Sequence, residues 1–404
     1  MFDFSKSVRV VNKTETVKRI GKIENVIGMS IEASGLRARV GDIAKVITRS
    51  GEEVAVEVVG FRDEKTILMP YAELSGVAPG DFVTNTEKIL EVPVGDFLIG
   101  RSVDALCNPI DGLEPFECKK KYPVSGGYIN PLSRPPISER LSFGIKAIDG
   151  MLTIGKGQRM GIFAGSGVGK STLMGMVARY GLADVNVIAL VGERGREVKE
   201  FIENELGPEG MAKSVVIVAT SDQSAMMRMK CPLVATSVAE YFRNQGKDVL
   251  LMMDSLTRFA MAHREIGIAT GEPPIARGYT PGIYAELPKL LERSGNFDHG
   301  SITGIYTVLV EGDDTNEPIS DTVRGIVDGH IVLSRKLAHK NHYPAIDISQ
   351  SVSRLMNSIA SPEHRKMASE IRDVMATYEA NADMINIGAY KKGGNPAIDN
   401  AIDR

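Results

Sequence analysis

The chain has 404 residues, a net charge of −3, 43% apolar residues and 25% charged residues. That length allows two or three domains around a large core, and the balance is that of a soluble globular protein without a global basic field to draw in nucleic acid. Cys107, Cys118 and Cys231 match neither a disulfide framework nor metal-ligand spacing, and no run of about 18 apolar residues could span a bilayer. The start, Met1-Phe2-Asp3-Phe4-Ser5, lacks the charged-then-apolar pattern of a secretory signal. A cytoplasmic protein with peripheral membrane contact at most is expected.

Residues 17–90 read as short strands, the clearest at 54–59 and 66–69. Ser50-Gly51, Gly60, Ser75-Gly76 and Pro79-Gly80-Asp81 punctuate them. Evenly spaced strands without helices predict a small β-barrel. This one lacks the interleaved aromatic and basic residues that stacking on bases requires, so a packing or oligomer-collar role fits it better than oligonucleotide binding. Residues 91–157 are a Gly/Pro-rich connection with a short basic cluster, Lys119-Lys120-Lys121, and a helix expected over 141–151.

From 158 to about 335 apolar runs alternate with amphipathic stretches. Strands are expected at 160–163, 185–191, 215–219, 249–253 and 303–310, with helices at 197–206 (ended by Gly207-Pro208) and 223–245 (ended by Gly246). Alternation of this kind predicts a parallel sheet covered on both faces, with ligands at the carboxyl ends of its strands. From about 360 the pattern is helical, starting at Ser361-Pro362-Glu363 and broken at 393–396.

The strand at 160–163 runs into Ala164-Gly165-Ser166-Gly167-Val168-Gly169-Lys170-Ser171-Thr172, followed by a helix-compatible segment. Strand, glycine-rich turn and helix make a phosphate-binding loop. The glycines let backbone N–H groups point at phosphate oxygens, and the helix start adds its positive end. Lys170 would reach the β- and γ-phosphates and the Ser171 hydroxyl would take Mg2+. The first position of the G-x-x-x-x-G-K-[ST] pattern is Ala164, small enough for the turn.

Asp254 ends the apolar run at 249–253, as suits a carboxylate holding magnesium through water. Ser255 follows it, so a water-activating base must lie elsewhere. Glu193, just past the strand at 185–191, is the candidate, and spacing leaves open an exposed loop acid paired with Arg194 or Arg196. Transition-state charge needs an arginine; Arg258 and Arg354 both qualify, and spacing does not choose between them. Tyr343 could pack on an adenine or be an ordinary loop tyrosine.

The ordered set GIFAGSGVGKST at 161–172, GERGREV at 192–198, LLMMDSLTRFA at 250–260, GEPP at 271–274, RGYTP at 277–281, YTVLVEGDD at 306–314, DGHIVLSR at 328–335 and YPAID at 343–347 resembles the export ATPases of bacterial type III secretion, most of all the flagellar members. Those are similar to the α and β subunits of rotary ATP synthases. The resemblance implies an α/β fold: a RecA-like P-loop core (89–356) after an N-terminal β-barrel (1–88) and before a helical C-terminal domain (357–404). It implies an Mg-dependent ATPase with ATP bound by Gly165, Ser166, Gly167, Val168, Gly169, Lys170, Ser171 and Thr172. Ser171 would bind Mg2+ directly and Asp254 through water.

The resemblance further implies Glu193 as catalytic glutamate, Arg354 as an arginine finger entering the neighbouring subunit's site, Arg258 near the γ-phosphate and Tyr343 on adenine. The implied assembly is a homohexamer with a stator-like regulator, a coiled-coil central stalk, a membrane export gate and chaperone–substrate complexes as partners, at the inner face of the cytoplasmic membrane. Relatives usually carry more helix beyond the position of Arg404 and an amphipathic arm before the barrel. Flagellar export is the leading expectation and the virulence-type system its alternative. A rotary ATPase subunit would more often carry Thr after the loop lysine. A nucleic-acid motor fits poorly with the acidic balance, and a non-catalytic subunit with the presence of Glu193.

Overall fold

The computed structural model describes residues 19–127, 129–310 and 317–404. The first 18 residues and the EGDD end of the 306–314 motif lie outside the described residues. The chain forms two compact units: one runs to Glu91 and takes in Ser224–Met227 and Glu265–Pro273, and the other comprises the remainder.

In the first unit, β1 (Ile20–Ile27), β2 (Ser30–Ser34), β3 (Asp42–Ile47), β4 (Glu53–Arg62), β5 (Lys65–Pro70) and β6 (Phe82–Ile89) form a closed barrel in the order β1-β2-β5-β4-β3-β6. The period of two decides which side chains point inward. In β3, Asp42, Ala44 and Val46 are buried while Lys45 and Ile47 face out. Ile23, Ile31, Ala33, Ala44, Val46, Val56, Val58, Leu68 and Val83 fill the interior. The expected strands at 54–59 and 66–69 fall in β4 and β5.

The second unit is built on a nine-stranded sheet. Its strands are β7 (Ser102–Asp104), β8 (Arg159–Ala164), β9 (Val185–Val191), β10 (Ser214–Ala219), β11 (Asp248–Asp254), β12 (Ser301–Leu309), β13 (Gly329–Leu333) and β14 (Ile346–Ser353), in the order β14-β13-β8-β12-β11-β9-β10-β7, with the short Gly295–Asn296 pairing beside β12. Every pairing from β13 through β7 is parallel; β14 runs antiparallel to β13. All seven residues of β9 are buried, as a parallel central strand requires.

The main helices are α1 (Lys146–Met151), α2 (Lys170–Tyr180), α3 (Gly195–Glu200), α4 (Gly207–Met211), α5 (Ala225–Asn244), α6 (Leu256–Thr270), α7 (Pro281–Leu291), α8 (Pro318–Ile326), α9 (Pro362–Asn386) and α10 (Pro396–Asp403), with short helical turns at Arg335–His339 and Met356–Ile359. Leu173, Met174, Val177 and Ala178 of α2 join Ile188, Leu190, Leu250, Met252 and Ile305 in the core. Pro362 occupies the first turn of α9, and the Ser361 hydroxyl caps it by accepting from His364 N at 3.2 Å. His364 donates through Nε2 to Gly150 O at 2.8 Å, which ties the helix to α1.

Two expected helices differ. Only 146–151 of the stretch 141–151 is helical, because Leu141, Phe143 and Ile145 alternate into the core as extended chain. The Asp149 carboxylate holds that turn, accepting from Phe143 N at 2.9 Å and Gly144 N at 2.8 Å. The helix expected over 197–206 begins at Gly195, widens to a π-helix over Phe201–Leu206 and continues through Gly207, at φ 63°, into α4. Gly-Pro bends it without ending it.

Candidate active site at the carboxyl edge of the sheet

The loop between β8 and α2 turns on Gly167 (φ 74°) and Gly169 (φ 85°), left-handed conformations that suit residues without a Cβ. Ala164 is the last residue of β8, paired with Leu309 and Leu333 and buried in the core. An extended strand residue has no use for glycine's freedom, which accounts for alanine at this position. Val168 is 1% exposed and anchors the loop in the core, while Ser166, Ser171 and Thr172 face out.

Lys170, the first residue of α2, meets carboxylates from two other strand ends. Its Nζ is paired with Asp254 at the end of β11 and lies 3.4 Å from Glu193 Oε1, beyond the end of β9. The three side chains are 13%, 6% and 16% exposed. Thr307 Oγ1 of β12 donates to Asp254 Oδ1 at 2.7 Å and is fully buried. Burial would lower the Lys170 pKa, but the charges of Asp254 and Glu193 outweigh it and hold the pKa above its ordinary value. Burial raises the Glu193 pKa; Lys170 opposes that and Asp254 adds to it. The result is a fixed cation at the start of α2 beside a carboxyl group shifted upward.

Arg258 lies on the first turn of α6 against this cluster. A Cβ at Gly192 would sit 3.0 Å from Arg258 Cβ, so glycine (φ 69°) is what allows the β9 turn and α6 to approach so closely. The buried Arg258 Nε has no hydrogen-bond partner among the described residues. The Tyr343 ring lies against the loop, 3.3 Å from where a Cβ on Gly169 would be, and is half exposed. Thr172 Oγ1 donates to Glu205 Oε1 at 2.8 Å.

Arg354 is not brought to this cluster. Its backbone N donates to Asp328 O at 3.0 Å, and Asp328 N to Arg159 O, at the opposite end of β8. Five residues of strand, roughly 16 Å, separate that level from the loop. The chain therefore places Lys170, Glu193, Asp254, Arg258 and Tyr343 together and holds Arg354 apart, exposed. Thr307 escaped the sequence reading, since nothing in its spacing signals a bond to Asp254.

Residues 144–353 match the ATP synthase alpha/beta family, nucleotide-binding domain, and residues 360–404 match the T3SS EscN ATPase C-terminal domain. The flagellum-specific ATP synthase of Bacillus subtilis (strain 168) is 53% identical over 400 residues, 97% of this chain and 90% of that protein. The assembled ATPase EscN of the enteropathogenic E. coli type III secretion system is 45% identical, with a TM-score of 0.90 over 95% of this chain and 92% of EscN. EscN in complex with its central stalk EscO superimposes with a TM-score of 0.87 at 44% identity over 95% of this chain and 92% of that one. The chain belongs to the ATP synthase alpha/beta family, among its flagellum-specific and type III secretion ATPases, and is an ATP-hydrolysing enzyme.

Proposed function

We propose that this chain hydrolyses Mg-bound ATP in a homohexameric ring and so energises export of flagellar proteins, releasing or unfolding chaperone-bound substrates. The observation that carries the catalytic reading is Lys170 held between Asp254 and Glu193 at the open edge of the parallel sheet. Phosphates bound there take Lys170 from its two carboxylates. Glu193 is then free to orient a water and accept its proton; burial has already shifted its carboxyl toward the range where a base works near neutral pH. Arg258, beside Gly192, stabilises charge on the γ-phosphate, and Tyr343, beside Gly169, packs on the adenine.

The site fits magnesium of the kind that relies on phosphates. Among the described residues no group of three or more His, Cys, Asp or Glu could cage a metal alone, while Ser171 and Asp254 offer two hard oxygens. When bound, the ion neutralises phosphate charge; Ser171 would hold it directly and Asp254 through water.

The placement of Arg354 away from its own loop supports a role in the neighbouring copy's site, and the assembled EscN structures support the ring and a central stalk, which we take to be a coiled coil. A stator-like regulator, a membrane export gate and chaperone–substrate complexes complete the proposed partners, at the cytoplasmic face of the membrane. No described helix is long and apolar enough to cross it.

The test is Glu193→Gln. Turnover should fall by about 10²–10⁴-fold while nucleotide binding persists. Specific activity of the parent should rise steeply with assembly, followed by mass in solution. Parent-rate turnover in Glu193→Gln would remove Glu193 as the base.

A further inference from the structure

Arg354 reaches the backbone of Arg324, and neither residue makes an ion pair among the described residues. Arg324 lies in the last turn of α8 and Arg354 follows β14; Arg354 Nη2 donates to the Arg324 carbonyl oxygen at 3.4 Å. The Arg324 guanidinium lies 5.3 Å from the centre of the Phe163 ring, which fixes its position. His330 on β13 meets the same ring edge-on at 5.9 Å and donates through Nε2 to Gln350 O at 3.0 Å. Burial, and beyond it the charge of Arg324 and Arg354, holds the His330 pKa below its ordinary value despite the Gln350 carbonyl. The two arginines therefore act together on one small region.

Neither arginine makes an ion pair among the described residues, and the buried Arg324 Nε has no hydrogen-bond partner there. Three other arginines of this unit are neutralised: Arg159 by Asp328 and Glu292, Arg101 by Asp111, Arg293 by Glu240. Cations close to one another and without an ion pair among the described residues repel unless an anion comes from outside. A nucleotide's phosphate chain carries several negative charges and presents the oxygen geometry that two planar guanidiniums match.

We infer that Arg324 is a second arginine of the site shared between copies, contacting the phosphate chain of the nucleotide bound to the neighbouring copy alongside Arg354. This rests on the proposal that Arg354 acts in that site. Arg324 supplies a second charge where the transition state becomes more negative, with Phe163 as its platform.

Mixed rings decide it, because a site takes Lys170 from one copy and the arginines from the next. Arg324→Ala alone should form rings of parent mass and lose at least about tenfold in kcat, with Arg324→Lys intermediate. Equimolar Arg324→Ala with Lys170→Ala should regain activity, since about a quarter of random interfaces combine an intact loop with an intact arginine pair. Equimolar Arg324→Ala with Arg354→Ala should stay inactive, because every donor lacks one arginine. The reverse pattern would place Arg324 in its own copy's site and overturn the inference. Recovery in neither mixture, with Arg354→Ala plus Lys170→Ala recovering, would make Arg324 structural and overturn it. Parent activity in Arg324→Ala would also overturn it. Failure of the Arg354→Ala plus Lys170→Ala mixture, with mixed rings present, would refute the underlying reading of Arg354 and the inference with it.

Discussion

Gly175→Ala opposes two effects of known size. Gly175 is inside α2, where alanine normally gains about 0.8–1 kcal/mol in helix propensity. Here the new Cβ would lie 2.6 Å from Glu205 O, 2.8 Å from Glu205 C and 2.8 Å from Glu205 Cβ, against 3.4 Å or more for ordinary contact. Two of those atoms are backbone and cannot rotate away, so α2 and the π-helical turn must part by about 0.6–0.8 Å. Overpacking of this kind costs about 1–3 kcal/mol, so the net change is a loss of up to about 2 kcal/mol. Gly150→Ala in α1 meets open space and should be neutral or stabilising. The separation also disturbs the bonds of Thr172 and Arg179 to Glu205, two and nine residues beyond Lys170. A sub-ångström shift of the loop lysine should lower kcat/KM by about tenfold. Urea unfolding of both variants and ATPase rates measure the two effects. A Gly175→Ala protein as stable as the Gly150→Ala protein, with parent kcat/KM, would refute the reasoning.

Three further outcomes are expected. Thr307→Val keeps shape but removes the donor to Asp254 Oδ1; stability should fall by about 1–3 kcal/mol in urea and the magnesium requirement should rise, and an unchanged requirement would detach Thr307 from the site. The Glu193 carboxyl must be ionised to act as base and its pKa is raised, so kcat/KM should fall as pH drops through a value above the ordinary 4.5. An acid limb at or below 4.5 would contradict this. In the barrel, bonds from Asn25, Arg62 and Lys65 lower the Glu32 pKa from 4.5 to about 2. A depressed folded pKa adds stability that is complete above the unfolded value and is lost as pH falls from about 4.5 toward 2. Glu32→Gln should flatten the unfolding midpoint across that window, and an unflattened profile would show that Glu32 does not set it.

The phosphate loop was legible because its requirements are local: glycines where φ is positive, a strand before, a lysine at the helix start. Asp254 was legible as an acid closing a buried strand. What remained hidden depends on strand order. Because β12 lies between β8 and β11, and β11 beside β9, Lys170, Asp254, Thr307 and Glu193 converge from four separate strand ends. No spacing along the chain encodes that convergence. Which of Arg258 and Arg354 lies beside Lys170 within one chain likewise depends on where α6 and β14 run. The π-helical turn over Phe201–Leu206 carries no sequence signal; its match to the Gly175 surface of α2 is tertiary.

Lys170 is held between Asp254 and Glu193. On the proposed reading, binding at this loop is an exchange of counter-ions: an incoming phosphate gains the lysine only as the two carboxylates give it up. Affinity is then the difference between two sets of ion pairs. The same exchange run backwards means that the departing phosphate faces two resident competitors for its main cation. A site that worked this way would favour throughput over retention.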